Sequence, residues 1–393
     1  AAAWTLEIDQ DGAYFGWSVG TAGDVNGDGY ADVIVGADHY DNGQGNEGGA
    51  WVYLGSAAGL SATAAWMAEG NQASAWFGHS VGTAGDVNGD GYADVIVGAR
   101  WYSNGQASEG AAFVYLGSAA GLGAAAAWTG EGNQEGAYFG HSTGTAGDVN
   151  GDGYADVIVG APNYDSSLGA AFVYLGGAAG LAATAWTVEG NQAGASFGGS
   201  VGTAGDVNGD GYADVIVGAL RYDNGQGDEG AAFVYQDYAA WTGEGNQGGA
   251  SFGRSVGTAG DVNGDGYGDV IVGAPYYDNG QGDEGAAFVY LGGAAGLSAA
   301  AAWAAESDQA AALFGTSVGT AGDVNGDGYG DVIVGAPYYD NGQTYEGGAW
   351  VYLGSASGLG AAAAWAAESD QAAAQFGGEL TELVPDHVLR HVY

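Results

Sequence analysis

Six times the chain repeats nearly the same stretch, DVNGDGYADVIVGA, starting at Asp24, Asp86, Asp148, Asp206, Asp261 and Asp323. The intervals are 62, 62, 58, 55 and 62 residues. A period of this size means one supersecondary unit repeated, with each copy burying its apolar face against the next. Two other marks keep step. A Trp stands at positions 4, 66, 128, 186, 241, 303 and 365, and a Phe-Gly pair begins at 15, 77, 139, 197, 252, 314 and 376.

Within a period, four short runs rich in β-branched and aromatic residues are bounded by Gly, Asn and Asp. In the first period they lie near 15–20, 31–37, 49–55 and 63–67, and each reads as a strand. No segment carries a capped helical period, and the alanine-rich pieces such as GLGAAAAW are too short to hold a helix. They are read as a turn followed by an edge strand. The two short intervals lose residues only in loops: PNYDSSLGAAF stands for PYYDNGQGDEGAAF, and VYQDYAAW for VYLGSAAGLSATAAW. Four antiparallel strands repeated radially make an all-β β-propeller. The whole chain, 1–393, is expected to be one such domain. Its repeats run 1–62, 63–124, 125–182, 183–237, 238–299 and 300–361, with a degenerate closing segment at 362–393. Because the Trp and Phe-Gly marks each occur seven times, the reading favours a seven-bladed ring over six. A reduced blade would then be closed by joining the Trp4 strand to a C-terminal strand after Phe376.

Composition narrows the partners. The formal net charge is −43, with no Lys and only Arg100, Arg221, Arg254 and Arg390 as basic side chains. Such a chain repels nucleic acid and anionic membranes and attracts cations. Disorder is argued against by 25 Tyr, 12 Trp and 11 Phe. There is no Cys, so no disulfide framework exists. The absence of an 18-residue apolar run predicts no membrane insertion. No basic leader opens the chain, and its first residues, AAAWT, suit a mature terminus after leader removal.

The acidic stretch has the form D-x-N-x-D-G-x-x-D. Side chains at positions 1, 3 and 5 converge when a tight loop curls around one point, position 7 offers its carbonyl, and position 9 closes the shell. This is all-oxygen ligation, suited to Ca²⁺ rather than to the small rigid octahedron of Mg²⁺. Zinc is disfavoured because Cys is absent and the five His do not cluster at ligand spacing. The candidate ligand sets are Asp24, Asn26, Asp28, Tyr30, Asp32; Asp86, Asn88, Asp90, Tyr92, Asp94; Asp148, Asn150, Asp152, Tyr154, Asp156; Asp206, Asn208, Asp210, Tyr212, Asp214; Asp261, Asn263, Asp265, Tyr267, Asp269; and Asp323, Asn325, Asp327, Tyr329, Asp331. The start matches the calcium loop of helix–loop–helix proteins, but the Glu at position 12 is missing and a strand follows. The plainer alternative, Asp-Gly turns that merely cap hairpins, is weakened by six intact copies.

These residues, FGxSV followed by DVNGDGYADVIVGAP at this spacing, resemble FG-GAP repeats, the units of the integrin α-subunit propeller. The likeness covers about residues 1–380. It implies seven blades, calcium loops between the first two strands of a blade, and the six ligand sets above. The family includes secreted and bacterial surface proteins, and fungal lectins look similar, so an extracellular or cell-surface location is expected. The terminal GAP element persists at Ala161-Pro162, Ala274-Pro275 and Ala336-Pro337, but is altered at Asp38, Arg100 and Leu220.

The loop after the second strand carries Tyr40, Tyr102, Tyr164, Tyr222, Tyr277 and Tyr339 in register. Antiparallel order puts these loops on the face opposite the acidic ones. Three are doubled aromatics, Trp101-Tyr102, Tyr276-Tyr277 and Tyr338-Tyr339, and are the candidate ligand residues for a glycan or protein partner. The alternative is that each Tyr packs on its own blade. Glu47, Glu109, Glu229, Glu284 and Glu346 recur in the same loop as candidates to satisfy turn amides. No unique carboxylate pair stands out, and His79 and His141 read as repeat variants at the position of Trp17, so no enzyme activity is expected. Repeated faces also leave self-association open, as in a surface layer, a filament or an amplified scaffold with no selected ligand.

Overall fold

A computed structural model of the chain describes residues 5–236, 239–369 and 371–378. In the first repeat, β1 (Ser18–Gly23), β2 (Asp32–Ala37), β3 (Gly49–Tyr53) and β4 (Trp66–Glu69) form one antiparallel meander in that order. Val19 lies opposite Val35, Val33 opposite Tyr53, and Val52 opposite Trp66. A bulge between Thr21 and Gly23 ends β1, with the Gly23 N–H donating to Thr21 Oγ1 at 3.0 Å. It turns the chain out of the sheet into the acidic loop.

The same four-stranded sheet returns at 77–131, 142–189, 197–244, 255–306 and 317–368. The sheets group into two compact units that divide between Ala193 and Gly194, with three sheets in each. Within a unit the first strands of successive blades face each other: Ser18 Oγ accepts from the Val81 N–H at 3.2 Å, and Ser80 Oγ lies 3.0 Å from Thr143 Oγ1. The core sits between blades. Ile34 of β2 packs with Phe77, Val81, Val95 and Val97 of the second blade, whereas its neighbour Val35 packs back on Trp51 and Tyr53. The VIV run is therefore apolar on both faces, because both faces are covered.

The Phe-Gly pair joins one blade to the next. The Phe77 backbone forms a bridge with Gly48 of the preceding blade, and its N–H donates to the Glu47 carbonyl at 3.1 Å. The Phe77 ring instead packs with Phe113 and Tyr115 of its own blade, at 5.5 and 6.4 Å between centroids. Gly78 follows at φ +83°, and its carbonyl passes so close to Gly36 that a Cβ on Gly36 would stand 2.0 Å from the oxygen. This explains the glycines on both sides of the joint: backbone runs against backbone there. The bridge recurs as Gly110–Phe139, Gly230–Phe252, Gly285–Phe314 and Gly347–Phe376.

That joint corrects the blade count. The described residues hold six four-stranded blades of propeller type, not seven. Each Trp strand is the outermost strand of the blade that precedes the next Phe-Gly pair, so Trp365 closes the sixth blade opposite Val351. Phe376-Gly377 is the latch docked on that same blade at Gly347. The seventh copies of the two marks thus finish blade six rather than begin a seventh. The Trp4 strand and the tail from 379 onward, with His387, Arg390 and His391, lie outside the described residues. One small departure from the all-strand expectation is a single turn at Tyr164–Ser167, where Asp165 and Ser166 take φ values of 42° and 60°. It occupies the loop that is shortened in the 58-residue interval.

Candidate metal loops and ligand face

Each acidic loop is built by its first residue. In the first copy Asp24 Oδ1 accepts from the Gly27 and Asp28 N–H groups at 2.7 and 3.0 Å, and Oδ2 from Gly29 at 2.7 Å. Asn26 Oδ1 accepts from the Asp28 N–H at 3.0 Å, and Asp28 Oδ1 from the Tyr30 N–H at 3.0 Å. The curl requires left-handed backbone at Gly27 and Gly29, φ +73° and +86°. The other five loops repeat these bonds, with Asp86, Asp148, Asp206, Asp261 and Asp323 in the place of Asp24.

Position 9 stands apart. Asp32 is fully buried, and its two oxygens accept from the Val25 N–H at 2.9 Å and the Gly55 N–H at 2.8 Å. It ties the loop to the turn after β3. Asp94, Asp156, Asp269 and Asp331 do the same, each with two amides. Burial pushes the Asp32, Asp94 and Asp269 carboxyls up to about 6; the two amides oppose this, and the charges at positions 5 and 1 add to it. Asp156 and Asp331 are raised for the same reasons. Negative charge at the loop's closed end is thus poorly compensated by the protein itself.

Position 7 also has a role that the spacing does not reveal. The Tyr92 ring lies over the preceding blade's loop, so close that a Cβ on Gly27 would stand 2.6 Å from it. Tyr154 meets Gly89, Tyr267 meets Gly209 and Tyr329 meets Gly264 in the same way. The side chain of position 7 therefore locks neighbouring loops together. Among the described residues, no three Asp, Glu or His side chains stand gathered as a ready-made metal cage. The carboxylates at positions 1 and 9 are aimed at amides, and the donor set of carboxylate, side-chain amide and carbonyl oxygen is of the type a hard cation takes.

At the opposite ends of the same strands, the in-register Tyr packs edge-on against an aromatic of its own blade. Tyr40 meets Trp51 at 5.0 Å, Tyr102 meets Phe113 at 5.6 Å, Tyr277 meets Phe288 at 5.5 Å and Tyr339 meets Trp350 at 5.0 Å. In the doubled pairs the preceding ring faces elsewhere: Tyr276 is exposed, Tyr338 meets Tyr345 at 5.1 Å, and Trp101 packs with Trp76 and Tyr138. Glu47 is buried and accepts from the Asn42 N–H at 2.6 Å, which makes it a turn-forming residue.

The profile of the FG-GAP repeat matches residues 15–53, 77–115, 139–174, 197–235, 252–290 and 314–352. Integrin alpha-4 of Xenopus laevis is 32% identical over 218 residues, which cover 54% of this chain and 20% of that one. Integrin alpha-V of Gallus gallus is 34% identical over 224 residues, 54% of this chain and 21% of that one. The chain thus spans about a fifth of the length of these relatives. Among solved structures, a Bacillus licheniformis rhamnogalacturonan lyase superposes with a TM-score of 0.43 at 15% identity, over 88% of this chain and 57% of that one, too loosely to bear on activity. With six matched repeats spread over more than half of its length, the chain belongs to the FG-GAP repeat family.

Proposed function

We propose that this is a calcium-holding, ligand-binding propeller of the extracellular or cell-surface kind, acting in adhesion rather than in catalysis. The observation that carries the metal reading is the loop repeated six times with its carboxylates at positions 1, 5 and 9, in five of which burial first, and the charges at positions 5 and 1 after it, raise the position-9 carboxyl. A divalent cation would compensate the negative charge that burial and the neighbouring carboxylates both disfavour. Asp24, Asn26, Asp28, the Tyr30 carbonyl and Asp32, with their five sets of equivalents, would hold it. Its contribution is charge compensation and loop rigidity. Kinship with integrin α chains supports a protein ligand as the partner, with a glycan as the alternative. A binding role is also supported by the repetition of the carboxylates, since a catalytic pair needs two groups whose surroundings differ.

Calorimetric titration of metal-stripped protein with Ca²⁺ tests the metal reading. About six sites are expected, one per loop, at the oxygen-ligand distances of about 2.3–2.6 Å typical of this ion. A stoichiometry of zero or one would sink it. The second reading, a structural subunit or an amplified scaffold without a selected ligand, is favoured by the near-identity of the repeats. It predicts that no soluble glycan or protein partner binds with or without calcium.

A further inference from the structure

Among the positions where the repeats differ are those flanking Phe-Gly and following VIVGA. In blades four to six, the residue before Phe is Ser196, Ser251 or Leu313. In blades one to three it is Tyr14, Trp76 or Tyr138. All six hold left-handed backbone, φ between 53° and 59°. A small side chain suits that conformation, and a bulky aromatic there is an outlier. The fold forms without the large rings, so their presence in three consecutive blades calls for another reason.

The rings meet. Trp76 lies between His39 at 4.5 Å and Trp101 at 5.5 Å, with the Arg100 guanidinium 4.7 Å from its centroid. Trp17 stacks on His79 at 5.7 Å, and His79 lies 5.3 Å from His141. All three histidines among the described residues are therefore in one patch of the first unit, in a chain of net charge −43. Asp38 fixes two of them: its carboxylate accepts from His39 Nδ1 at 2.7 Å and from His79 Nδ1 at 2.9 Å, which turns both Nε2 atoms away from it. Arg100 Nη1 donates to His141 Nδ1 at 3.1 Å, so that His141 carries its proton on Nε2. Tyr14 and Trp17 leave open faces, 55% and 41% exposed. The buried indole N–H of Trp101 has no hydrogen-bond acceptor among the described residues.

Indole and phenol faces stack on the C–H face of a pyranose, while imidazole and guanidinium groups bond to hydroxyl and carboxylate oxygens. The rest of the surface repels polyanions. We propose that this patch is a binding site for a pyranose carrying a single carboxylate, a uronic-acid residue, with the aromatic rings as platform and Arg100 and the imidazoles as the polar contacts. The proposal rests on the ligand-binding reading of the chain and places the site on the first unit rather than at the doubled tyrosines.

Tryptophan fluorescence of the whole chain, titrated in calcium buffer with methyl glucuronide and with methyl glucoside, tests it. A saturable change is expected for the uronide, with the neutral sugar roughly tenfold weaker or more, the scale of one lost charge-assisted hydrogen bond. R100Q should abolish the difference between the two sugars, and W76S, which installs the residue used in blades four and five, should weaken both. R254Q should change neither, and melting curves of all variants check folding. Absence of saturable binding, equal affinity for both sugars, or undiminished discrimination in R100Q overturns the proposal. If binding is lost in Y276A or Y338A but kept in R100Q, the ligand-binding reading stands and this site falls.

Discussion

At the residue scale, the acidic loop separates two tasks that its sequence presents as one. Positions 1, 3 and 5 shape the loop by accepting from its amides, with position 1 half-buried and position 5 exposed, whereas position 9 is a buried cap on two backbone amides. D32A should therefore destabilise the protein even in EDTA, by roughly 2–4 kcal/mol, because two buried N–H groups lose their acceptor. D28A should cost little in EDTA and remove one site from the calcium stoichiometry. Chemical denaturation in chelator, paired with calorimetry, checks both; equal losses for the two variants would refute the division. The alternation of Asp, Asn and Asp makes the loop itself legible in sequence. The cap is not, because its partner, Gly55, lies in a turn 23 residues away that only the folded meander brings near. Nor is the packing of Tyr92 over Gly27, a contact between blades that no spacing within one copy encodes.

At the element scale, all four strands of every blade are foreseeable, because each is a short apolar run between turn formers. The edges shift by a few residues. The apolar run opens at Phe15, but β1 begins at Ser18, two residues after the Gly16 N–H donates to the Gly36 carbonyl at 3.0 Å. The outer strand, expected near 63–67, runs at Trp66–Glu69. Counting marks overstates the number of blades, because the sequence does not say which blade each mark serves. The joint gives a sharp contrast between two glycines four residues apart. G78A forces a side chain at φ +83° to within 2.2 Å of the Gly49 carbonyl and should cost about 3 kcal/mol or more. A Cβ added to Gly82 would meet nothing within 4 Å, and G82A should be neutral or stabilising by up to about 1 kcal/mol. Thermal melts of the two variants side by side decide this; a tolerated G78A would remove the joint from the account.

At the scale of the whole molecule, the dominant quantity is charge. Carboxylates greatly outnumber bases, 47 against 4, and six loops concentrate them. A cation that binds only the folded loops adds stability by mass action, about 2.7 kcal/mol per site at a hundredfold excess over Kd. EDTA should therefore lower Tm by on the order of 10 °C, and added NaCl should recover part of the loss by screening. A melt indifferent to chelator would contradict this. The joint between blades also bears on how such a chain can be cut and recombined. The segment between a Trp strand and the following Phe-Gly belongs physically to two blades, since Phe139 bridges Gly110 while its ring enters its own core. A crossover at Glu131, where the blade ends, severs that bridge. A crossover just after Gly140 carries it intact. The transplantable cassette is thus offset from the visible repeat by about ten residues.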